Sequence, residues 1–197
     1  KIKKGDIRSM RKVLQLLSVV VVGIAVALML ISPELVLIFG SPKYREAVYV
    51  IPPVAASVFF IFIYNILSMP QFYYEKTQFL MAASMAAAGA NVVLNFIFIR
   101  LFGYIAAGYT TLACYMLYSV GHYIVSKRIL VNEGIQENLM SPGFLVACSV
   151  FLIGASIICN LIFPYRILRY AILLASAGLV FWKKELLLKT MADIRKK

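Results

Sequence analysis

One stretch of 21 residues without a charge, from position 79 to position 99, constrains the fold of this chain more than any other feature. An α-helix rises about 1.5 Å per residue, so a helix of this length extends about 30 Å. The hydrocarbon core of a bilayer has about the same thickness, roughly 30 Å. The stretch is therefore predicted to be a membrane-spanning helix, and the segments around it have to suit a membrane protein.

The composition of this helix indicates that one of its faces contacts protein. Positions 82 to 90 are alanine, serine or glycine apart from one methionine, and small residues let helices approach closely within a membrane. The i, i+4 row through Ala83 and Ala87 continues to Asn91 and Asn95. A carboxamide in hydrocarbon needs a hydrogen-bond partner or water. We therefore expect this row to face another helix or a water-filled cavity.

The whole chain repeats the pattern of long apolar runs. Hydrophobic residues make up 62% of it and charged residues 14%, which excludes a disordered chain and an ordinary soluble domain. The apolar runs occupy positions 13–32, 47–69, 79–99, 104–125, 142–163 and 167–182. We predict an all-α, polytopic membrane bundle of six transmembrane helices.

Pro33 and Glu34 are expected to end the first span, and the side chain of Arg169 is expected to extend to the membrane surface.

The positive charges predict the orientation of the bundle. Six spans place both termini and the second and fourth connections on one side, which then holds 15 of the 20 lysines and arginines. Since cytoplasmic segments are rich in these residues, both termini are predicted to be cytoplasmic. The net charge of +12 flanks apolar runs instead of forming one patch, so no nucleic acid is expected as a partner.

The two ends of the chain carry further predictions. Residues 183–197 combine six cations with apolar residues at helical spacing, which predicts an amphipathic helix on anionic phospholipids. The chain begins at Lys1 without a signal-peptide pattern, so we expect it to continue a longer protein.

Residues that could carry enzymatic or metal chemistry are sparse. The sequence contains no paired carboxylates within a span, no nucleophile elbow and no phosphate-binding glycine loop, so neither an enzyme nor a cofactor is expected. The cysteines lie in apolar runs without metal-ligand spacing, so no metal is expected: Cys114, Cys148 and Cys159. His122, near the cytoplasmic end of the fourth span, either relays protons or is an interfacial residue with a water or headgroup partner.

Polar and aromatic residues within the spans suggest a substrate pathway. The candidates are Asn91, Asn95, Tyr64, Asn65 and Arg100. Amides offer donors and acceptors to sugar hydroxyls, and tyrosine rings, including those of Tyr109, Tyr115 and Tyr118, can pack on sugar faces. Arg100, Lys43 and Arg45 lie at the outer ends of their spans. There they could meet the diphosphate group of a lipid-linked substrate. The alternatives are hydrogen bonding between helices for the asparagines, ordinary packing for the tyrosines and solvated span ends for the cations.

A series of short motifs between residues 14 and 127 resembles one known family. The motifs are Leu37-Ile38-Phe39-Gly40 with Tyr44 and Ala47, then Lys76-Thr77, then Asn91 with Leu94-Asn95, then Gly103, Ala107 and Thr111. They are similar in order and spacing to the C-terminal region of polysaccharide biosynthesis proteins. These proteins are oligosaccharide-lipid, O-antigen-type flippases of the multidrug/oligosaccharidyl-lipid/polysaccharide (MOP) exporter superfamily. One position departs, because the family's second glycine is Ala106 here and a glycine follows at Gly108.

The resemblance implies a protein of twelve to fourteen helices in two lobes. Such a protein moves an undecaprenyl-diphosphate-linked oligosaccharide across the bacterial inner membrane for surface polysaccharide biosynthesis. Residues 1–127 would form the core of the C-terminal lobe, residues 128–182 two additional spans, and residues 183–197 a basic cytoplasmic tail. The implied partners are this lipid-linked oligosaccharide and the N-terminal lobe of the same protein, and most cavity residues would lie upstream of Lys1.

Two alternatives remain open. One is a drug or cation antiporter lobe of the same superfamily. It is disfavoured because ion coupling usually needs a carboxylate within the membrane, and all eight acidic residues are expected in loops or tails. The other is a membrane scaffold for polysaccharide assembly, which transports nothing.

Overall fold

The computed structural model describes residues 4–182, and in this part of the chain the regular secondary structure is all helical, without a strand. The helices are α1 (Lys4–Phe39), a short 3-10 helix (Pro42–Tyr49), α2 (Ile51–Tyr73), α3 (Gln78–Phe102), α4 (Ala106–Asn132), α5 (Pro142–Ile162) and α6 (Arg166–Trp182). The all-α bundle predicted from the sequence is confirmed. The amphipathic tail predicted for residues 183–197 lies outside the described residues.

The second helix, α2, occupies the centre of the bundle. It packs against α1, α4 and α5, and 13 of its 23 residues are buried. Pro52 and Pro53 lie in its first turn, where a helix does not need their backbone N–H groups. On one side α4 separates α2 from α3, and on the other α6 packs against α1 and α5. The helix α3 is therefore at the edge of the bundle.

Contacts between the connections define two ends of the bundle. At one, termed the amino end, Arg8 near the start of α1 pairs with Glu137 of the α4–α5 loop at 2.8 Å. At the other, termed the far end, the Tyr104 hydroxyl of the α3–α4 turn donates a hydrogen bond to Glu46 of the 3-10 helix at 3.2 Å. Consecutive helices therefore run in opposite directions, as six sequential spans would.

The first helix continues through Pro33 to its end at Phe39, so the prediction that Pro33 and Glu34 end the first span is wrong. Proline lacks the N–H that would bond to the carbonyl four residues earlier, at Met29. The buried Ser32 hydroxyl donates to this carbonyl oxygen at 2.8 Å. A side chain thus supplies a hydrogen bond that the proline cannot make, and the helix continues.

A buried ion pair joins α6 to this part of α1. Arg169 is 3% exposed, and its two terminal nitrogens donate to the two carboxylate oxygens of Glu34 at 2.7 and 2.9 Å. Arg169 Nη1 also donates to the Leu30 carbonyl at 2.8 Å, and the Tyr170 hydroxyl donates to Glu34 at 2.9 Å. The prediction that Arg169 extends to the membrane surface is wrong, because a carboxylate inside the bundle pairs with it.

Among the described residues, four helices are long and apolar enough to cross a membrane: Ile7–Phe39, Ile51–Tyr73, Gln78–Phe102 and Pro142–Ile162. The other two predicted spans do not meet this criterion. The helix α4 carries polar residues along its length, among them Ser119, His122 and Ser126, and it continues to Asn132, past the predicted end at position 125. The helix α6 has 17 described residues. These four candidate spans agree with a helical membrane bundle, whereas the count of six spans goes beyond them.

Candidate functional site

A cavity of about 440 Å³ lies between α2, α3 and α4. Its lining consists of Tyr64, Ser84, Ala87, Ala88, Asn91, Val92, Thr111, Cys114, Tyr115 and Tyr118. We term it the polar cavity, because hydroxyl, amide and aromatic groups alternate with small residues and none of the lining residues is charged. Tyr64 and Asn91, two of the five candidate pathway residues, belong to it.

Three tyrosines form the aromatic wall of the polar cavity. The rings of Tyr64 and Tyr115 are parallel within 7°, with centroids 6.3 Å apart, and Tyr118 packs on Tyr64 at 4.6 Å. The Tyr118 hydroxyl lies 2.6 Å from the hydroxyl of Ser84 on α3, so a hydrogen bond crosses from α4 to α3. This wall offers ring faces and hydroxyl groups to the same volume.

The small-residue row of α3 faces this side, as its i, i+4 spacing predicts. Ala83, Ala87, Asn91 and Asn95 are all half-buried, on a helix that has no fully buried residue. Asn95 Nδ2 donates to Asn91 Oδ1 at 2.9 Å, and the hydroxyl of Thr110 on α4 donates to Asn95 Oδ1. Asn95 is thus bonded between helices, whereas the Asn91 amide nitrogen, without a partner among the described residues, lies at the cavity wall.

The other candidate residues lie away from the polar cavity. Asn65 is exposed, and its amide donates to the Ile61 carbonyl of its own helix at 2.8 Å. Arg100 is exposed near the far end, with its guanidinium 3.9 Å from the centroid of the Phe96 ring. The Tyr109 hydroxyl accepts a hydrogen bond from Asn160 of α5 at 2.9 Å, outside this wall.

A glycine allows the close approach of α4 to α2 beside this site. A Cβ atom on Gly108 would lie 2.9 Å from Pro53 Cγ and 3.0 Å from the Val50 carbonyl oxygen, which is closer than side chains tolerate. Gly108 is the glycine that follows Ala106, the position at which the sequence departs from the motifs that it resembles. It lies where α4 meets Pro53 of α2 and the Val50 carbonyl just before that helix.

The structure also buries a histidine that the sequence placed at the membrane surface. His122 is 0% exposed, because α4 continues for ten residues beyond it and α2 and α3 cover it. Its Nδ1 lies 2.7 Å from Nε2 of Gln71, which is also 0% exposed. The prediction of an interfacial histidine with a water or headgroup partner is wrong. Gln71 was not predicted, since sequence spacing does not indicate which residue of α2 faces α4.

The edge position of α3 leaves much of that helix uncovered. It packs against α4, and most of its residues on the other sides are exposed, among them Met85, Val92, Val93 and Leu101. Ser84, Ala88 and Val92 are exposed and also line the polar cavity, so the cavity opens at the side of the bundle where α3 lies.

The polar cavity can stack rings and make neutral hydrogen bonds. Among the residues that the structure describes, no group of three histidine, cysteine, aspartate or glutamate side chains could hold a metal ion.

Comparisons of the chain with protein families, with curated proteins and with solved structures gave no match. The likeness to flippases therefore rests on the motifs of the sequence.

Proposed function

We propose that this chain is the C-terminal lobe of a membrane transporter that flips or exports lipid-linked oligosaccharides for surface polysaccharide biosynthesis. The observation that carries the proposal is the lining of the polar cavity. Tyr64, Tyr115 and Tyr118 present rings, and Asn91, Ser84 and Thr111 present neutral hydrogen-bonding groups, within one volume of about 440 Å³. Sugars offer apolar ring faces surrounded by hydroxyls, so a lining of this kind suits them.

A glycan pathway also requires space beside the polar groups. Ala87 and Ala88 line the polar cavity from α3, where larger side chains would fill it. The cavity opens toward the uncovered side of α3, which is the side that a second lobe would cover in a two-lobed transporter. We therefore propose that the N-terminal lobe of the same protein packs along α3 and completes the pathway.

The proposed topology has six spans with both termini in the cytoplasm of a bacterial inner membrane. It is supported by the charge distribution and by the direction of the polar residues of α4. Ser119, His122 and Ser126 are buried, so neighbouring helices cover the groups that lower the hydropathy of α4. A helix whose polar side chains face protein can cross a membrane with a lower hydropathy than one that faces lipid on all sides.

The antiporter alternative has to be reconsidered, because Glu34 lies within the candidate span Ile7–Phe39 and not in a loop. Both oxygens of Glu34 are bonded to Arg169, so this carboxylate is already neutralised by a fixed cation. A carboxylate in such a pair is a poor binding group for a drug cation or a coupling ion.

The scaffold alternative differs from transport in needing no accessible cavity.

Cysteine labelling in the complete transporter tests the proposal. Cys114, Cys148 and Cys159 are replaced first, and single cysteines are then placed at Asn91 and, as the matched amide outside the cavity, at Asn65. We expect Asn91→Cys to react with a small aqueous thiol reagent and to be protected by lipid-linked oligosaccharide, and Asn65→Cys to show no such protection. An unreactive Asn91→Cys, or reactivity that the glycan leaves unchanged, would contradict the proposal.

A further inference from the structure

A fully buried amide, that of Gln71, meets a fully buried imidazole, that of His122, where α2 and α4 pack near the amino end. Gln71 and His122 are each 0% exposed, and Gln71 Nε2 lies 2.7 Å from His122 Nδ1. The proposed glycan pathway does not use either residue. Burying two polar groups costs free energy unless their hydrogen bonds are satisfied. The question is therefore which polar atoms of Gln71 and His122 have hydrogen-bond partners.

The pair leaves two of its polar atoms unpartnered among the described residues. They are His122 Nε2 and Gln71 Oε1. When Gln71 Nε2 donates to Nδ1, the neutral imidazole carries its proton on Nε2, which is then a buried donor without an acceptor. Gln71 Oε1 is a buried acceptor without a donor. The neutral arrangement therefore satisfies the pair only in part.

A second arrangement of the same side chains accommodates one more proton. An imidazolium has N–H groups on both nitrogens, so Nδ1 can no longer accept from the amide. If the Gln71 carboxamide turns by half a rotation, Oε1 accepts from Nδ1–H and gains the donor that it lacks. Among the described residues the other contact of the amide nitrogen is a long one, 3.4 Å to the Leu67 carbonyl, so the turn exchanges this contact and the one to Nδ1 for the bond that Oε1 accepts.

Three aromatic rings pack against the imidazole. Ring centroids lie 4.5 Å away for Tyr118, 5.5 Å for Phe79 and 5.8 Å for Tyr64. A cation within about 6 Å of an aromatic centroid is attracted to the ring face. The titratable groups that face His122 are Tyr64 from α2 and Tyr118 from α4, whereas α3 contributes Phe79, and the charged residues of the α2–α3 turn, at positions 75 and 76, are exposed.

The same rings belong to the wall of the polar cavity, because Tyr64 and Tyr118 line it and Tyr118 is bonded to Ser84 of α3 at 2.6 Å. A charge that forms on His122 acts directly on both rings. The histidine site and the cavity wall are thus in physical contact through two side chains.

We propose that Gln71 and His122 form a proton-binding site, and that proton binding there changes the positions of the side chains in the aromatic wall of the polar cavity. A proton from solution binds the imidazole, the Gln71 amide turns to accept from Nδ1–H, and Tyr64 and Tyr118 shift toward the cation. Loss of the proton reverses these steps. The proton binding stands on its own, whereas its coupling to glycan movement rests on the proposed function.

Nitrogen NMR of the imidazole tests the site without any transport assay. The complete protein is purified in detergent with ¹⁵N-labelled histidine, and the His122→Gln variant identifies the His122 signals by their loss. We expect the neutral form to carry its proton on Nε2 and to become imidazolium as the pH is lowered. An imidazole that keeps one neutral form down to the lowest pH at which the protein stays folded would overturn the proposal.

The Gln71→Leu variant separates the pair from an isolated histidine. It removes the amide that fixes the tautomer, so we expect the neutral signals to change to a mixture of tautomers and the titration midpoint to move. Asn65→Leu, an amide on the exposed side of the same helix, should change neither. If Gln71→Leu leaves both the tautomer and the midpoint of His122 unchanged, Gln71 is not part of a proton-binding site.

A transport measurement then tests the coupling. In liposomes that contain the transporter and lipid-linked oligosaccharide, a pH gradient should alter the flipping rate of the wild type and leave that of His122→Gln unchanged. Equal responses would refute the coupling even where the imidazole titrates. If the wild type flips no glycan at all, the proposed function fails, and the NMR titration still decides whether the proton site exists.

Discussion

Replacing Arg169 by leucine removes the only residue that neutralises Glu34 within the described part of the bundle. The variant loses two hydrogen bonds to the carboxylate and one to the Leu30 carbonyl. The carboxylate keeps the Tyr170 hydroxyl, at 2.9 Å, as its remaining partner. Since Arg169 is 3% exposed, water does not replace the lost contacts without opening the packing of α6 on α1.

Removing one partner of a fully buried ion pair typically costs about 3–5 kcal/mol, which is the upper range here because Glu34 is 23% exposed. At about 2–4 °C per kcal/mol for a chain of this size, the unfolding temperature should fall by up to roughly 20 °C. Glu34→Gln leaves the guanidinium, which is the more buried partner, without its counter-charge, so it should cost a comparable amount although the amide oxygen still accepts from the guanidinium. The double variant Glu34→Leu/Arg169→Leu should cost less than the sum of the two leucine variants, since neither charge is left alone.

Thermal unfolding of the purified protein in detergent, followed by circular dichroism, measures these differences. Arg166→Leu is the matched control, because Arg166 lies one helical turn earlier in α6, is exposed and forms no ion pair among the described residues. If Arg169→Leu lowers the unfolding temperature no more than Arg166→Leu does, the Arg169–Glu34 pair does not stabilise the protein. Strict additivity of the two leucine substitutions would show that the ion pair does not hold α6.

Two further predictions concern helix packing and topology. Gly108→Ala should destabilise the protein by about 1–3 kcal/mol, because the new methyl group meets Pro53 of α2 at 2.9 Å, whereas Gly89→Ala, with nothing within 4 Å, should be neutral or stabilising. Equal unfolding temperatures for the two variants would show that α4 does not approach α2 as described. Topology reporters fused after residues 76, 102 and 134 should report cytoplasm, outside and cytoplasm. The same side for residues 102 and 134 would mean that α4 does not cross the membrane.

Hydropathy and spacing predict much of this fold because both are local properties of the chain. Uncharged runs predict α3 and α5 within a few residues, and the i, i+4 row predicts that Asn91 and Asn95 share one face of α3, which the structure turns toward α4. The shifted glycine at position 108 was visible in the sequence, although its role as a contact with α2 was not.

The features that the sequence does not predict depend on partners that are distant along the chain. Proline and an acid normally end a span, but Arg169, 135 residues beyond Glu34, neutralises that acid inside the bundle. His122 lies near the end of its apolar run, yet the helix continues and Gln71, 51 residues earlier, covers it. Likewise, sequence spacing does not distinguish Tyr64, which turns toward α4, from Asn65, which turns away.

The flipping rate of lipid-linked oligosaccharide by the purified transporter in liposomes shows whether the polar cavity contacts the glycan. Asn91→Leu removes the cavity amide, while Asn65→Leu removes an amide outside the cavity. One lost hydrogen bond, worth about 0.5–1.5 kcal/mol, corresponds to a roughly two- to tenfold loss of rate. We predict this loss for Asn91→Leu, together with a small fall in unfolding temperature because Asn95 Nδ2 loses its acceptor, and a wild-type rate for Asn65→Leu. Equal rates for the two variants would contradict this contact with the glycan.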